Sequence, residues 1–275
     1  MGRVIKLLLY FFGYQLAFSG TIMSYYFIKR GIFNPADVSE IISDPLYINL
    51  VMIAQLLSTL AITLHILGWK YANFRTQLNK PVDWKNIIPL SVALIVGMGL
   101  WTNYLNELAD LPNNMKETFD LMMKNPLGII SIVIMAPLME ELLFRGAIQG
   151  HLLKIWKNPV WPIVVSSLLF GIVHGNPAQI PFAFVLGLAL GWMYYLTGSI
   201  IPSILMHFIN NGTAVLLFAF SDNPDATMVS ELGNAGAIAL AAAGVIITIV
   251  SILFIKKTET EKTVWYEEKK EESDF

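Results

Sequence analysis

The stretch PLGIISIVIMAPLMEELLFRGAIQGHLL, residues 126–153, decides the fold and most of the chemistry. Apart from one serine it is apolar as far as Met139. Two adjacent acids follow, Glu140 and Glu141, with Arg145 one helical turn later. The stretch exceeds the ~20 residues that an α-helix needs to cross the hydrocarbon of a bilayer. A charged side chain at mid-membrane costs roughly 2.5–3.5 kcal/mol even on lenient insertion scales. Two neighbouring carboxylates there need a partner and a reason.

The rest of the chain has the same character. Of 275 residues, 55% are hydrophobic and only 14% charged, against about 25% charged in soluble domains. Mean hydropathy is +0.60. The expected fold is all-α, a polytopic integral membrane protein with about eight transmembrane helices and a cavity within the bundle. A formal charge of -2 gives no footprint for nucleic acid, and the lack of cysteine excludes disulfides, thiolate metal sites and a thiol nucleophile. The first apolar run has no small-residue cleavage site and ends in Lys29 and Arg30, so it reads as a first span, not a signal peptide.

Spans are expected at 4–28, 45–69, 86–107, 126–153, 159–174, 179–197, 200–220 and 236–255. This divides the chain into 1–124 (three spans and an amphipathic connection), 125–220 (the segment bearing the intramembrane polar groups), 221–257 (a loop and the last span) and 258–275 (a charged tail read as solvated or disordered). Arg3, Lys6, Lys70, Arg75, Lys80, Lys85, Lys154, Lys157, Lys256 and Lys257 fall on one side of this layout. Glu107, Asp110, Glu117, Asp120, Asp222, Asp225 and Glu231 fall on the other, diluted by Lys29, Arg30, Lys116 and Lys124. The positive-inside rule then puts both termini in the cytoplasm. Low charge and Lys/Asn/Ile-rich usage point to a bacterial cell membrane.

Helix geometry says which polar groups can meet. Residues four apart share a face, and neighbours diverge by about 100°. Glu141 and Arg145 therefore stack as an ion pair, while Glu140 points elsewhere and stays free for chemistry. Phe170 and His174 share the fourth and fifth turns of their span in the same way. His207 and Asn211 present an imidazole and a carboxamide to one cavity. Pro137, one turn before Glu140, is expected to kink the helix or free a carbonyl near the site. The pairs Gly146/Gly150 and Gly187/Gly191 let helices approach closely. His65 reads as interfacial and His151 as solvated, and Trp69, Trp161, Tyr194 and Tyr195 as interfacial belt anchors.

Taken in order, E-E-x-x-x-R (Glu140, Glu141, Arg145), F-x-x-x-H (Phe170, His174) and H-x-x-x-N (His207, Asn211) resemble the motifs of the CPBP family. That family comprises intramembrane proteases, including CAAX prenyl endopeptidases and bacteriocin-processing and self-immunity relatives. The resemblance covers about residues 125–220. It implies an intramembrane endopeptidase acting on a membrane-associated protein or peptide, with the lipid bilayer as its setting. In the roles it implies, Glu140 is the general base, assisted by His174. His207 and Asn211 form the oxyanion hole, and Glu141 with Arg145 holds the constellation in place.

Three alternatives stand beside this reading. Two histidines and a glutamate also form a common catalytic zinc set, so the cofactor expectation is none, with zinc as the alternative; H-E-x-x-H is absent. A scaffold regulating a membrane protein partner, of the bacteriocin-immunity or sensor-kinase kind, needs no catalysis. A secondary transporter also places carboxylates and broken helices at the midplane, but no internal repeat of the hydropathy pattern accompanies them here.

Overall fold

The computed structural model describes residues 1–31, 41, 44–74, 82–221, 223, 226–258 and 265. Every extended element among them is helical. We number the helices α1 (Gly2–Arg30), α2 (Pro45–Gly68), α3 (Trp84–Ala109), α4 (Lys116–Met123), α5 (Pro126–Ile155), α6 (Val160–Ile172), α7 (Ile180–Thr197), α8 (Ile201–Phe220) and α9 (Met228–Thr258). All except α4 and α6 are long and apolar enough to cross a membrane, seven in total among the described residues. The fifth expected span is α6, of 13 residues, which at 1.5 Å per residue is about 20 Å long. Arg75, Lys80, Asp222, Asp225 and the tail residues other than Thr258 and Trp265 lie outside the described residues.

Local chemistry sets the helix ends. Asp44 caps α2 by accepting from the Leu46 N–H (2.9 Å), with Pro45 in the first turn. The same carboxylate accepts from Tyr26 Oη (2.7 Å) and pairs with Arg30 (2.6 Å), clasping the end of α1 to the start of α2. The Tyr26 hydroxyl first, and then the Leu46 N–H, hold its carboxyl below the usual range. Asn125 repeats the device at α5, accepting from Leu127 N at 2.9 Å ahead of Pro126. The connection between α3 and α5 contains the short helix foreseen there, α4, which has no buried residue.

Helix α5 is the axis of the bundle, contacted by α1, α2, α6, α7 and α8. Leu142, Leu143, Phe144, Ala147 and Ile148 are fully buried at its centre. Helices α3 and α9 pair along the flank, where a Cβ on Gly97 would come within 2.9 Å of the Gly244 carbonyl oxygen. Three of the four paired glycines lie at close contacts between helices, and Gly146 meets the chain that follows α2. A Cβ on Gly146 would meet Ala72 at 2.6 Å, and one on Gly150 would meet the Tyr194 hydroxyl at 2.7 Å. On α7, Gly187 faces Ser167 and Gly191 faces Gln149.

Some expectations need correction. Tyr194 is no belt anchor: it is 2% exposed, because Trp265 of the tail packs against it with ring centroids 5.1 Å apart. The Trp265 indole is itself buried and donates to the Tyr195 carbonyl (2.8 Å), so the tail is not wholly solvated. Trp69 and Trp161 are exposed, as anchors should be. His151 is half-buried instead of solvated. His65 accepts or donates at Tyr14 Oη (3.0 Å) and stacks on Trp69 at 4.4 Å near the end of α2.

Candidate active site

Helix α5 is not a regular α-helix where the acids lie. Residues Ser131–Met135 and Glu141–Gln149 are π-helical, with Ala136 N–H reaching back five residues to Ser131 O. In that register the next amide, at position 137, would serve Ile132 O. Proline has no N–H, so the Ile132 carbonyl is released, and Asn211 Nδ2 of α8 takes it at 2.9 Å. Pro137 thus explains both the irregular register and the docking of α8. π-Segments inside α-helices are frequent at functional sites.

One turn on, Glu141 and Arg145 are both 0% exposed and paired at 2.9 Å. Burial of that order is tolerated only for a paired and hydrogen-bonded charge. The guanidinium is held further by the Gly187 carbonyl (3.3 Å) and by the Phe170 ring beneath it, 4.4 Å from the centroid. The same Glu141 oxygen, Oε1, meets His207 Nδ1 at 2.9 Å. A carboxylate only accepts, so Nδ1 carries the proton and donates. His207 Nε2 then faces Glu140 Oε2 at 3.8 Å. Glu140 is 17% exposed at its side chain, and its Oε2 is buried with no hydrogen-bond partner among the described residues. Both acids keep a buried Oε2 without a hydrogen-bond partner among the described residues, but they differ otherwise: Glu141 is locked through Oε1 by two donors, and Glu140 has none and is partly exposed.

His174 follows the end of α6 by two residues, in a turn closed by Gly175 at φ +63°. Its Nδ1 lies 2.7 Å from the Phe170 carbonyl oxygen. Since a carbonyl accepts, Nδ1–H donates and Nε2 keeps its lone pair. Phe170 is fully buried and presents its ring edge-on to both histidines, 5.0 Å from His174 and 5.6 Å from His207. Glu140, Glu141, Arg145, His207 and Asn211 are thus joined directly through α5 and α8. His174 joins them through Phe170 and makes no ion pair with Glu140.

The same packing reveals a residue the sequence reading passed over. Gln149, fully buried one turn beyond Arg145, donates to the Gly191 carbonyl at 2.7 Å. Arg145 and Gln149 on α5 thus register against Gly187 and Gly191 on α7. The signal was available: two polar residues four apart on one helix and two glycines four apart on another. The zinc set, by contrast, does not fit these side chains. Among the described residues no three His, Asp or Glu groups converge so as to hold an ion, and Glu141 Oε1 is committed to Arg145 and His207.

Known proteins resemble this part of the chain. Residues 123–213 match the family model described as type II CAAX prenyl endopeptidase, Rce1-like. The chain is 26% identical over 169 residues to the UPF0177 protein YajF of Lactococcus lactis, covering 58% of this chain and 79% of that one. It is 32% identical over 108 residues to the membrane-embedded CAAX protease MroQ of Staphylococcus aureus, covering 38% and 43%. It is 30% identical over 104 residues to YdiL of Bacillus subtilis, named as a candidate membrane peptidase, covering 38% and 42%. The matches to MroQ and YdiL span less than half of those proteins. No solved structure matches the chain. The resemblance read from three motifs and the match to the family model coincide on the same stretch: residues 123–213, which carry Glu140, Glu141, Arg145, His174, His207 and Asn211, are similar to the Rce1-like type II CAAX prenyl endopeptidases.

Proposed function

We propose that this protein is an intramembrane endopeptidase that hydrolyses a peptide bond in a membrane-associated protein or peptide, without a metal. The observation that carries the reading is the asymmetry of the two acids: Glu141 is tied down through Oε1 by Arg145 and His207, whereas Glu140 beside it accepts no hydrogen bond from a described residue and keeps part of its side chain exposed. Glu140 takes a proton from water as the water oxygen attacks the scissile carbonyl carbon. The Nε2 lone pair of His174 helps to orient and share that proton, which passes to the leaving amide nitrogen as the C–N bond breaks. Asn211 keeps a second amide N–H beyond the one given to Ile132, and this N–H meets the oxyanion. His207 joins it only with Nε2 also protonated, since Nδ1–H is held by Glu141. Donors fixed in a water-poor site are worth far more than the same donors in water.

MroQ is by name a membrane-embedded CAAX protease, which supports a peptide substrate for this chain. The loop charges support cytoplasmic termini in a bacterial membrane. The test compares the membrane peptidome of cells carrying wild type with that of cells carrying Glu140→Ala, alongside purified protein freed of zinc. We expect processing to vanish in Glu140→Ala with folding and insertion intact, and to persist in the zinc-free wild type. Full biological activity in both Glu140→Ala and His174→Ala would replace the enzyme with a scaffold acting on a membrane protein partner. Activity that needs added zinc would overturn the metal-free mechanism.

A further inference from the structure

The turn that carries His174 is held from outside its own helix pair. Helix α6 stops at Ile172, and residues 173–179 lead into α7. Within this turn His174 N–H bonds Gly171 O (3.2 Å) and Gly175 N–H bonds Ile172 O (3.1 Å). These short-range bonds fix the turn relative to α6 but leave its far side untied. Asn176 ties it. Its side chain is 0% exposed and both ends are used: Nδ2 donates to Asn113 Oδ1 at 2.9 Å, and Oδ1 accepts from the Asn114 N–H at 3.2 Å. Next to it, Ala178 N–H donates to Pro112 O at 3.2 Å. The backbone carbonyl of Asn176 also receives Gln179 N–H (2.8 Å) and Ile180 N–H (3.0 Å), starting α7.

We propose that Asn176 is a positioning residue for His174, and that the segment Pro112–Asn114 joining α3 to α4 is the anchor against which it works. This rests on the hydrolase reading above. An apolar residue at 176 would fill the same space, but only a carboxamide meets a donor and an acceptor on one partner strand at once. That geometry fixes direction as well as place. A buried amide whose partners are removed must stay unsatisfied, so the turn has one low-energy setting. His174 sits two residues away with Nδ1–H on Phe170 O, and the angle of that bond, hence the aim of Nε2, follows the turn. Displacing a catalytic group by about 1 Å can cost on the order of a hundredfold in rate.

The experiment uses the full chain in detergent or nanodiscs. Wild type, Asn176→Ala, Asn113→Ala and Asn113→Asp are compared for kcat, KM and pH profile on a peptide that wild type cleaves and Glu140→Ala does not. Ring 15N shifts of His174 are read in parallel. Asn113→Asp keeps an acceptor for Asn176 Nδ2. We expect Asn176→Ala and Asn113→Ala to lose between roughly tenfold and a hundredfold in kcat, with KM little changed and the pH profile altered. We expect Asn113→Asp to restore kcat, and the 15N shifts to report Nδ1–H in wild type and Asn113→Asp but a mixture of tautomers in the alanine variants. Unchanged kcat and unchanged ring shifts in Asn176→Ala would overturn the proposal. If wild type cleaves nothing, the hydrolase reading falls, and the ring shifts alone then decide whether Asn176 sets His174.

Discussion

Arg145→Met is the sharpest test of the buried constellation. Methionine approximates the length of the arginine stem but removes the cation, the 2.9 Å bond to Glu141, the 3.3 Å bond to the Gly187 carbonyl and the contact over Phe170. What remains is a carboxylate at 0% exposure with His207 as its one hydrogen-bond donor. Breaking a buried pair by deleting one partner typically costs about 3–5 kcal/mol, most of it the charge left behind. Replacing both partners by apolar residues of similar volume is often close to neutral. The double variant Glu141→Leu/Arg145→Met should therefore be more stable than Arg145→Met alone. Reversible unfolding in mixed micelles, followed by tryptophan fluorescence, measures all the variants against wild type. We expect a loss of about 3–5 kcal/mol for Arg145→Met and recovery of more than half of it in the double variant. Neither should turn over substrate. An Arg145→Met protein as stable as wild type, or a double variant worse than the single, would refute the claim that Glu141 and Arg145 form one buried charge unit.

Two further outcomes follow from single bonds. Pro137→Ala restores an amide that can serve Ile132 O in the π register, so it competes with Asn211 Nδ2; we expect unfolding stability to be kept or raised while turnover falls, and equal turnover would show that Asn211 needs no such tether. Asp44 has its carboxyl held low in the folded protein, so its charged form stabilises the clasp between α1 and α2 above the ordinary carboxylate value of about 3.9. That contribution is lost as pH falls through the lowered folded value. The melting difference between wild type and Asp44→Asn should accordingly be full at neutral pH and close as the solution is acidified below that value; a gap independent of pH would mean the charge of Asp44 does nothing there.

The legible part of this molecule was what repeats along a helix. The run before Glu140 announced a helix long and apolar enough to cross a membrane, the spacing of Glu141 and Arg145 announced their pair, and Gly150, Gly187 and Gly191 lie at the close helix contacts their spacing announced. Of the two expectations for Pro137, a kink or a freed carbonyl, the second has its counterpart in Ile132 O, which Asn211 takes. The unreadable part depends on register and on distant chain. A π-segment shifts which amide reaches which carbonyl, and no periodicity in the sequence reveals it. Asn176 belongs to a loop whose partners lie more than sixty residues upstream, at Asn113 and Asn114. Hydropathy counted α6 as a full span because Val173 and its neighbours are apolar, yet Gly175 at φ +63° and Pro177 end the helix early. Trp265 was hidden for a similar reason: within a charge-dense tail, one indole finds a slot beside Tyr194 that only the folded bundle creates.

The brevity of α6 bears on how the hydrolase proposed above would obtain its water. Its neighbour α7 runs 18 residues, about 27 Å, against the roughly 30 Å of a typical hydrocarbon slab, while α6 reaches only two-thirds of the way. Beyond its tip lie the half-buried imidazole of His174 and the exposed backbone of Gly175, neither of which lipid tails can solvate. Acyl chains beside that tip must draw back, since a short hydrophobic element is met by a locally thinner bilayer. Such a dent would let water reach toward His174 from the face that bears Asn113. Under the proposed function, a peptide from the lipid and the water that attacks it would then arrive by different routes.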